Sequence, residues 1–220
     1  MVLIIVGSGP PVAHFTPSRD GLTEGLLASR VLGQRRPVMR TFVALMRGIN
    51  VGSTRKLPMA DLRAFCLALG LKRPATYIQS GNLIVDADRR ADDLRRVLER
   101  ELTSRFGFTV HVIVRSVADW GQYVAANPFA GDADALPRMV HLYLPRDRVE
   151  PGAASALEQR ARSGERIVSA GRALWIDYGP KGVHGSKLSP LLIDKACGSP
   201  TTGRNWNSVL KISEMIEARG

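Results

Sequence analysis

From Thr41 to Arg47 the chain is almost uninterruptedly apolar through Phe42, Val43 and Leu45, the pattern of a buried strand. Pro58 then opens a helix that puts Met59, Leu62, Phe65, Cys66 and Leu69 on one face, and Gly70 ends it. Two short strands are predicted over Thr76 to Gln79 and Leu83 to Asp86, joined by the turn-forming trio Ser80-Gly81-Asn82. Asp92 and Asp93 suit the first turn of a helix carrying Leu94, Val97, Leu98 and Leu102. Thr109 to Arg115 reads as another strand. The order strand, helix, strand, strand, helix, strand is the ferredoxin-like plan.

The second half repeats that order in part. Val117 to Ala126 reads as a helix with Trp120, Tyr123 and Val124 inward, and Met139 to Leu144 as a strand. A helix over Gly152 to Arg162 precedes a hairpin, Arg166 to Ser169 with Ala173 to Tyr178, that turns at Gly171. Ser189-Pro190 is a helix start, Ser as cap and Pro at the first position. A last helix is predicted from Trp206 to Arg219 with Val209, Leu210 and Ile216 inward. The fold class is therefore α+β, with a first ferredoxin-like lobe over 39–115 and a second, partly repeated lobe over 116–220.

Residues 1–38 follow a different pattern. Met1 to Val6 is apolar and runs into Gly7-Ser8-Gly9-Pro10-Pro11, but Pro10 and Pro11 stand where a dinucleotide-binding loop must open its helix. A signal peptide needs a basic start and a longer apolar run. These residues are expected to be a loose extension or an over-extended start ahead of Met39.

Composition narrows the class. Apolar runs are too short to span a bilayer, and Cys66 and Cys197 make neither a disulfide framework nor a metal cluster. A reduced, cytoplasmic setting is expected. The net charge is +11. Four Arg against Asp20 and Glu24 lie in residues 1–38, which leaves 27 basic and 18 acidic residues beyond them. Such an excess suits an anionic partner; scatter of the many Arg residues is the plainer explanation.

Candidate chemistry falls in four glycine-bearing clusters. Arg47-Gly48-Ile49-Asn50-Val51-Gly52 leaves the first strand, where two glycines let backbone N–H groups face an anion or simply make a tight, asparagine-capped connection. Its echo of a P-loop is one residue short and lacks the lysine. Tyr77-Ile78-Gln79-Ser80-Gly81-Asn82 contains the hairpin turn. Gly182-Val183-His184-Gly185-Ser186-Lys187 precedes a helix and carries a Ser-Lys pair, a nucleophile and base only if both meet one reacting atom. Thr201-Thr202-Gly203-Arg204-Asn205-Trp206-Asn207 leads into the last helix, whose free N–H groups and Arg204 suit a phosphate or carboxylate, unless Thr202 or Asn205 caps them. None of these clusters holds Asp or Glu, so neither a paired-carboxylate site nor a hard-metal site is indicated. His111 and His141, flanked by Val110, Val112, Val140 and Leu142, read as packed or edge histidines, and Cys66 as core.

Taken together, Ala44-Leu45-Met46-Arg47-Gly48-Ile49-Asn50-Val51-Gly52, Tyr77-Ile78-Gln79-Ser80-Gly81-Asn82, Ser186-Lys187-Leu188 and Thr202-Gly203-Arg204-Asn205-Trp206-Asn207 resemble a bacterial family, domain of unknown function 1697, from about Met39 to the C-terminus. Ser208 stands where relatives tend to have Thr, which keeps the hydroxyl. The resemblance implies paired ferredoxin-related lobes and no particular reaction, cofactor or catalytic residue. The expected function is binding, or enzymatic processing, of a phosphorylated or anionic small molecule between the lobes by Arg47, Asn50, Ser80, Asn82, Lys187, Arg204 and Asn207. An RNA- or DNA-binding module is the second reading, weakened by a poor aromatic platform, and a structural or interaction protein is the third. No metal, cofactor or membrane partner is expected.

Overall fold

The computed structural model describes residues 38–220 apart from residues 53, 133 and 134. The expectation for residues 1–38 thus lies outside the described residues, Val38 excepted. The first strand, β1 (Arg40–Arg47), leads to α1 (Met59–Ala68), β2 (Lys72–Tyr77), β3 (Asn82–Ala87), α2 (Ala91–Phe106) and β4 (His111–Ser116). Next come α3 (Val117–Ala125), β5 (Val140–Pro145), α4 (Ala153–Glu158), β6 (Arg166–Ala170) and β7 (Ala173–Asp177). A 3₁₀ turn, Gly179–Lys181, precedes α5 (Gly182–Gly185), α6 (Pro190–Cys197), β8 (Thr201–Asn205) and α7 (Trp206–Glu217).

Two four-stranded antiparallel sheets result among the described residues, in spatial order β2-β3-β1-β4 and β6-β7-β5-β8. The second sheet repeats the first strand for strand. The expected partial repeat is therefore complete, because Thr201–Asn205 is a strand and not the loop its composition suggests. Its polar residues pair through their backbones with His141 to Pro145, and backbone pairing leaves no hydrophobic signature. Three further details differ from expectation. Asn82 opens β3 and is buried instead of sitting in the turn, Leu210 faces outward, and α4 is shorter than the span Gly152 to Arg162.

Alternating side chains sort the molecule into layers. Phe42, Ala44 and Met46 pack with Leu62 of α1 and Leu98 of α2 on the outer face of the first sheet. Val43 and Leu45 point the other way, into a central core with Trp120 of α3, Val209 and Ile212 of α7, and Leu142 and Trp175 of the second sheet. Leu174 and Ile176 close an outer core with Leu157 of α4 and Ile193 of α6. Helices α3 and α7 thus lie between the sheets, each running directly out of a fourth strand and capped by a polar residue, Ser116 for α3 and Asn205 for α7. The expected cap at Ser189 also forms, accepting from the Leu192 N–H. Cys66 is buried in the first core, and burial pushes its thiol up to about 12.

Two arginines at equivalent positions lock the halves together. Arg115, on β4, donates from Nη2 to the Pro145 carbonyl at the end of β5 at 2.5 Å. Arg204, on β8, donates from Nη2 to the Met46 carbonyl near the end of β1 at 2.9 Å. Each fourth strand therefore grips the first strand of the other sheet. Gly81 supports the second grip: with φ +78°, its Cβ would lie 2.7 Å from Met46 Cβ, so only glycine lets the β2-β3 turn sit against β1.

Candidate functional site

The loop after β1 is built around Asn50. Its Oδ1 accepts from the Leu57 N–H at 2.8 Å, and its Nδ2 donates to the carbonyls of Leu57 at 2.9 Å and Gln79 at 2.7 Å. The side chain thereby caps backbone groups of its own loop and ties that loop to the neighbouring turn, the plainer of the two readings of this cluster. The φ of 53° at Asn50 is the left-handed conformation that asparagine tolerates best after glycine.

Ser80, Asn82 and Arg204 do come together, Asn82 and Arg204 buried and Ser80 in an exposed turn. Arg204 Nε donates to Asn82 Oδ1, and Nη1 donates to Thr202 Oγ1 at 2.7 Å and the Gly203 carbonyl at 2.8 Å. Nη2 donates to the carbonyls of Met46 at 2.9 Å and Ser80 at 3.0 Å. Asn82 Nδ2 completes the network with the Tyr77 carbonyl and Ser80 Oγ. A guanidinium has five N–H donors, and all five are spent on protein acceptors. Burial pushes the Arg204 pKa down to about 10, still far above neutrality, so a full positive charge is held by neutral dipoles alone.

Arg47 has a different setting. Its Nη2 pairs with Asp194 Oδ2 of α6 at 2.6 Å, while the other oxygen of Asp194 accepts from the Thr201 N–H at 2.9 Å. Arg47 also lines a cleft of about 650 Å³ at the junction of the two sheets. Arg55, His111, His141, Tyr143 and the β8 backbone from Thr201 to Gly203 line it too, with Val51 and Val183 at its rim. Among the described residues no Asp or Glu lines it. Gly203 makes room for one wall, since its Cβ would lie 2.5 Å from Tyr143 Cε1.

Both histidines read from sequence as packed or edge residues border this cleft. His141 Nδ1 lies 3.0 Å from the Met139 carbonyl, and the ring meets Tyr178 edge-on at 5.1 Å. Desolvation lowers its pKa below the usual 6.5, against the raising influence of the Met139 carbonyl and Asp177. His111 Nδ1 lies 3.2 Å from Arg146 Nη2. Tyr143 and Tyr178 share a hydroxyl–hydroxyl bond of 2.6 Å, and burial raises both phenol pKa values, so both stay protonated. A signal for His141 exists in the sequence: His141 and Tyr143 alternate with Val140, Leu142 and Leu144, which puts them on the strand face away from the central core.

The depressed pKa of His141 has a stability consequence. The unfolded chain binds the proton more readily than the folded one, so stability rises with pH across the interval between the two values. His141 contributes fully above about 6.5, and that contribution is lost as pH falls through the lower folded value. Melting temperatures of the wild type and His141→Gln between pH 7.5 and 5.5 check this. The wild type should lose more on acidification, and equal slopes would contradict the assignment.

The remaining expected residues lie elsewhere. Lys187 and Asn207 are exposed and do not line the cleft. Ser186 donates to the Glu165 carboxylate and accepts from the Leu188 N–H at 3.1 Å, so its hydroxyl is directed away from the neighbouring lysine. The first turn of α7 is capped by Asn205, whose Oδ1 accepts from the Ser208 N–H at 3.0 Å. Both faces of the first sheet are covered by helices, so its surface offers no open platform for stacked bases.

Comparison with known proteins places the chain in a family. The profile of a protein family of unknown function (DUF1697) matches residues 39–175, and the chain belongs to that family. A conserved bacterial protein, SP0830 from Streptococcus pneumoniae, has a similar solved structure, with a TM-score of 0.65 at 22% identity, covering 81% of this chain and 99% of that one. That likeness is one of fold. No functionally curated protein matches the sequence.

Proposed function

We propose that this member of the family, built as two ferredoxin-like lobes, binds a phosphorylated small molecule in the cleft between its sheets, with Arg47 and Arg55 as the cationic wall. One observation carries the reading: two arginines and two histidines from both halves border a single cleft of about 650 Å³, with no carboxylate among the described residues that line it. That volume is in the range of small-molecule sites. The charge of Arg55 in this lining favours an anion, and a guanidinium holds phosphate through paired donors. Arg47 is held in place by Asp194. Among the described residues Arg55 has no ion-pair partner, so its charge is available to the ligand.

The proposed site keeps Arg47 from the residues expected by sequence and replaces most of the others. Ser80, Asn82 and Arg204 tie β1 to β8 and do not line the cleft. Asn50 shapes the loop carrying Arg55. Thermal shift of the full chain with inorganic phosphate, pyrophosphate and AMP tests the reading. A ligand at a hundred times its Kd should stabilise the fold by about 2.7 kcal/mol. The shift should be concentration-dependent and smaller in Arg55→Ala, whereas a series of phosphates without any effect would refute the proposal.

A further inference from the structure

The two cleft histidines are held in opposite hydrogen-bonding roles. A carbonyl oxygen only accepts, so the 3.0 Å contact to Met139 puts the proton of neutral His141 on Nδ1 and leaves Nε2 as a bare acceptor. A guanidinium only donates, so the 3.2 Å contact from Arg146 makes Nδ1 of His111 the acceptor and puts that ring's proton on Nε2. Among the described residues neither Nε2 has a hydrogen-bond partner. The cleft thus offers an anion cations from Arg47 and Arg55 and a donor from His111, and beside these an acceptor that no oxygen of a fully ionised phosphate can satisfy.

Resting on the phosphate-site reading, we propose that the ligand is a phosphate ester carrying a free hydroxyl, and that His141 selects it by accepting a hydrogen bond from that hydroxyl at Nε2. A fully ionised phosphate presents only lone pairs and would leave the imidazole acceptor buried against them without a bond, a costly arrangement. An amine would supply a donor but brings a positive charge towards Arg47 and Arg55, so a hydroxyl fits where an ammonium does not. Tyr143 lines the cleft beside His141, with ring centroids 6.2 Å apart, and its hydroxyl is bonded to that of the buried Tyr178. The class is that of phosphorylated polyols and sugars. The lowered pKa of His141 agrees with a neutral acceptor at neutral pH.

A matched pair of esters tests this: glycerol 3-phosphate, with two hydroxyls, and propyl phosphate, with none. Affinities for each are measured on the full-length wild type and on His141→Phe, which keeps a ring and removes the acceptor. The wild type should prefer glycerol 3-phosphate by about tenfold, which is about 1.4 kcal/mol. His141→Phe should bind both esters with the weaker affinity. Equal wild-type affinities for the two esters would overturn the inference while leaving the phosphate site standing, and so would a preference that survives in His141→Phe. Binding of neither ester would overturn the phosphate site itself, and the inference with it. The wild-type comparison decides the hydroxyl requirement even if His141→Phe fails to fold.

Discussion

Replacing Arg204 with alanine should destabilise the fold by at least about 3 kcal/mol, because buried acceptors that lose their donors each cost about 1–3 kcal/mol. The side chain serves five acceptors, the Asn82 amide oxygen, the Thr202 hydroxyl and the carbonyls of Met46, Ser80 and Gly203. Arg204, Asn82, Thr202 and Met46 are buried, so water does not readily replace the bonds made there, whereas the Ser80 carbonyl belongs to an exposed turn. Lysine should rescue little. It restores the charge but brings three donors on one nitrogen in place of a planar fork of five. Urea denaturation of the two variants measures both losses. A cost below about 1 kcal/mol for Arg204→Ala would mean that water refills the network and that the grip between β8 and β1 is dispensable.

Trp175→Ala should cost about 3–5 kcal/mol, the usual range for removing a large buried aromatic side chain. Trp175 is fully buried in the core between the two sheets and packs edge-on against Trp206 of α7 at 5.6 Å. Phenylalanine should recover most of that loss. Among the described residues Trp175 Nε1 has no hydrogen-bond partner, so the exchange removes an unsatisfied buried donor and leaves an aromatic ring for Trp206. The same denaturation experiment separates the two variants. Equal costs for Ala and Phe would show that the indole N–H makes a stabilising contact, with the π face of Trp206 as the natural acceptor.

How far the sequence foretold this structure depended on which physical effect wrote each element. Burial wrote β1, α1, α2 and α7 in hydrophobic positions that any reader can follow, and local capping wrote the Ser189-Pro190 helix start. Strand β8 had no such script: Thr-Thr-Gly-Arg-Asn is polar, and its burial rests on backbone pairing and on the acceptors gathered around Arg204. The same limit applied to the site. Arg47 and Arg204 both follow apolar or glycine-bearing strands, yet one opens on a cleft and the other fills the junction of the sheets. That difference arises from the packing of one sheet against the other, which no window of neighbouring residues contains. His111 and His141 read as packed or edge residues because their flanking valines and leucine resemble core, although the alternation of His141 and Tyr143 with Val140, Leu142 and Leu144 separates two faces.

The cleft also explains a division of labour among arginines. Arg115 and Arg204 each donate to main-chain carbonyls of the other half, which makes them parts of the scaffold. Arg47 is oriented by Asp194, and Arg55 sits on a loop that Asn50 fixes through the Arg55 carbonyl, which accepts from the Asn50 N–H at 3.0 Å. A guanidinium held as that of Arg47 is loses little side-chain freedom when an anion arrives, whereas Arg55 is held through its backbone.

Calorimetric titration of pyrophosphate into the full-length protein, beside Arg55→Ala, addresses the phosphate site most directly. Saturable binding at one site per chain is expected, weakened about tenfold or more by the substitution, about 1.4 kcal/mol for the loss of one unpaired cation. No saturable binding to the wild type, or the same affinity in Arg55→Ala, would contradict the assignment of this cleft as a phosphate site.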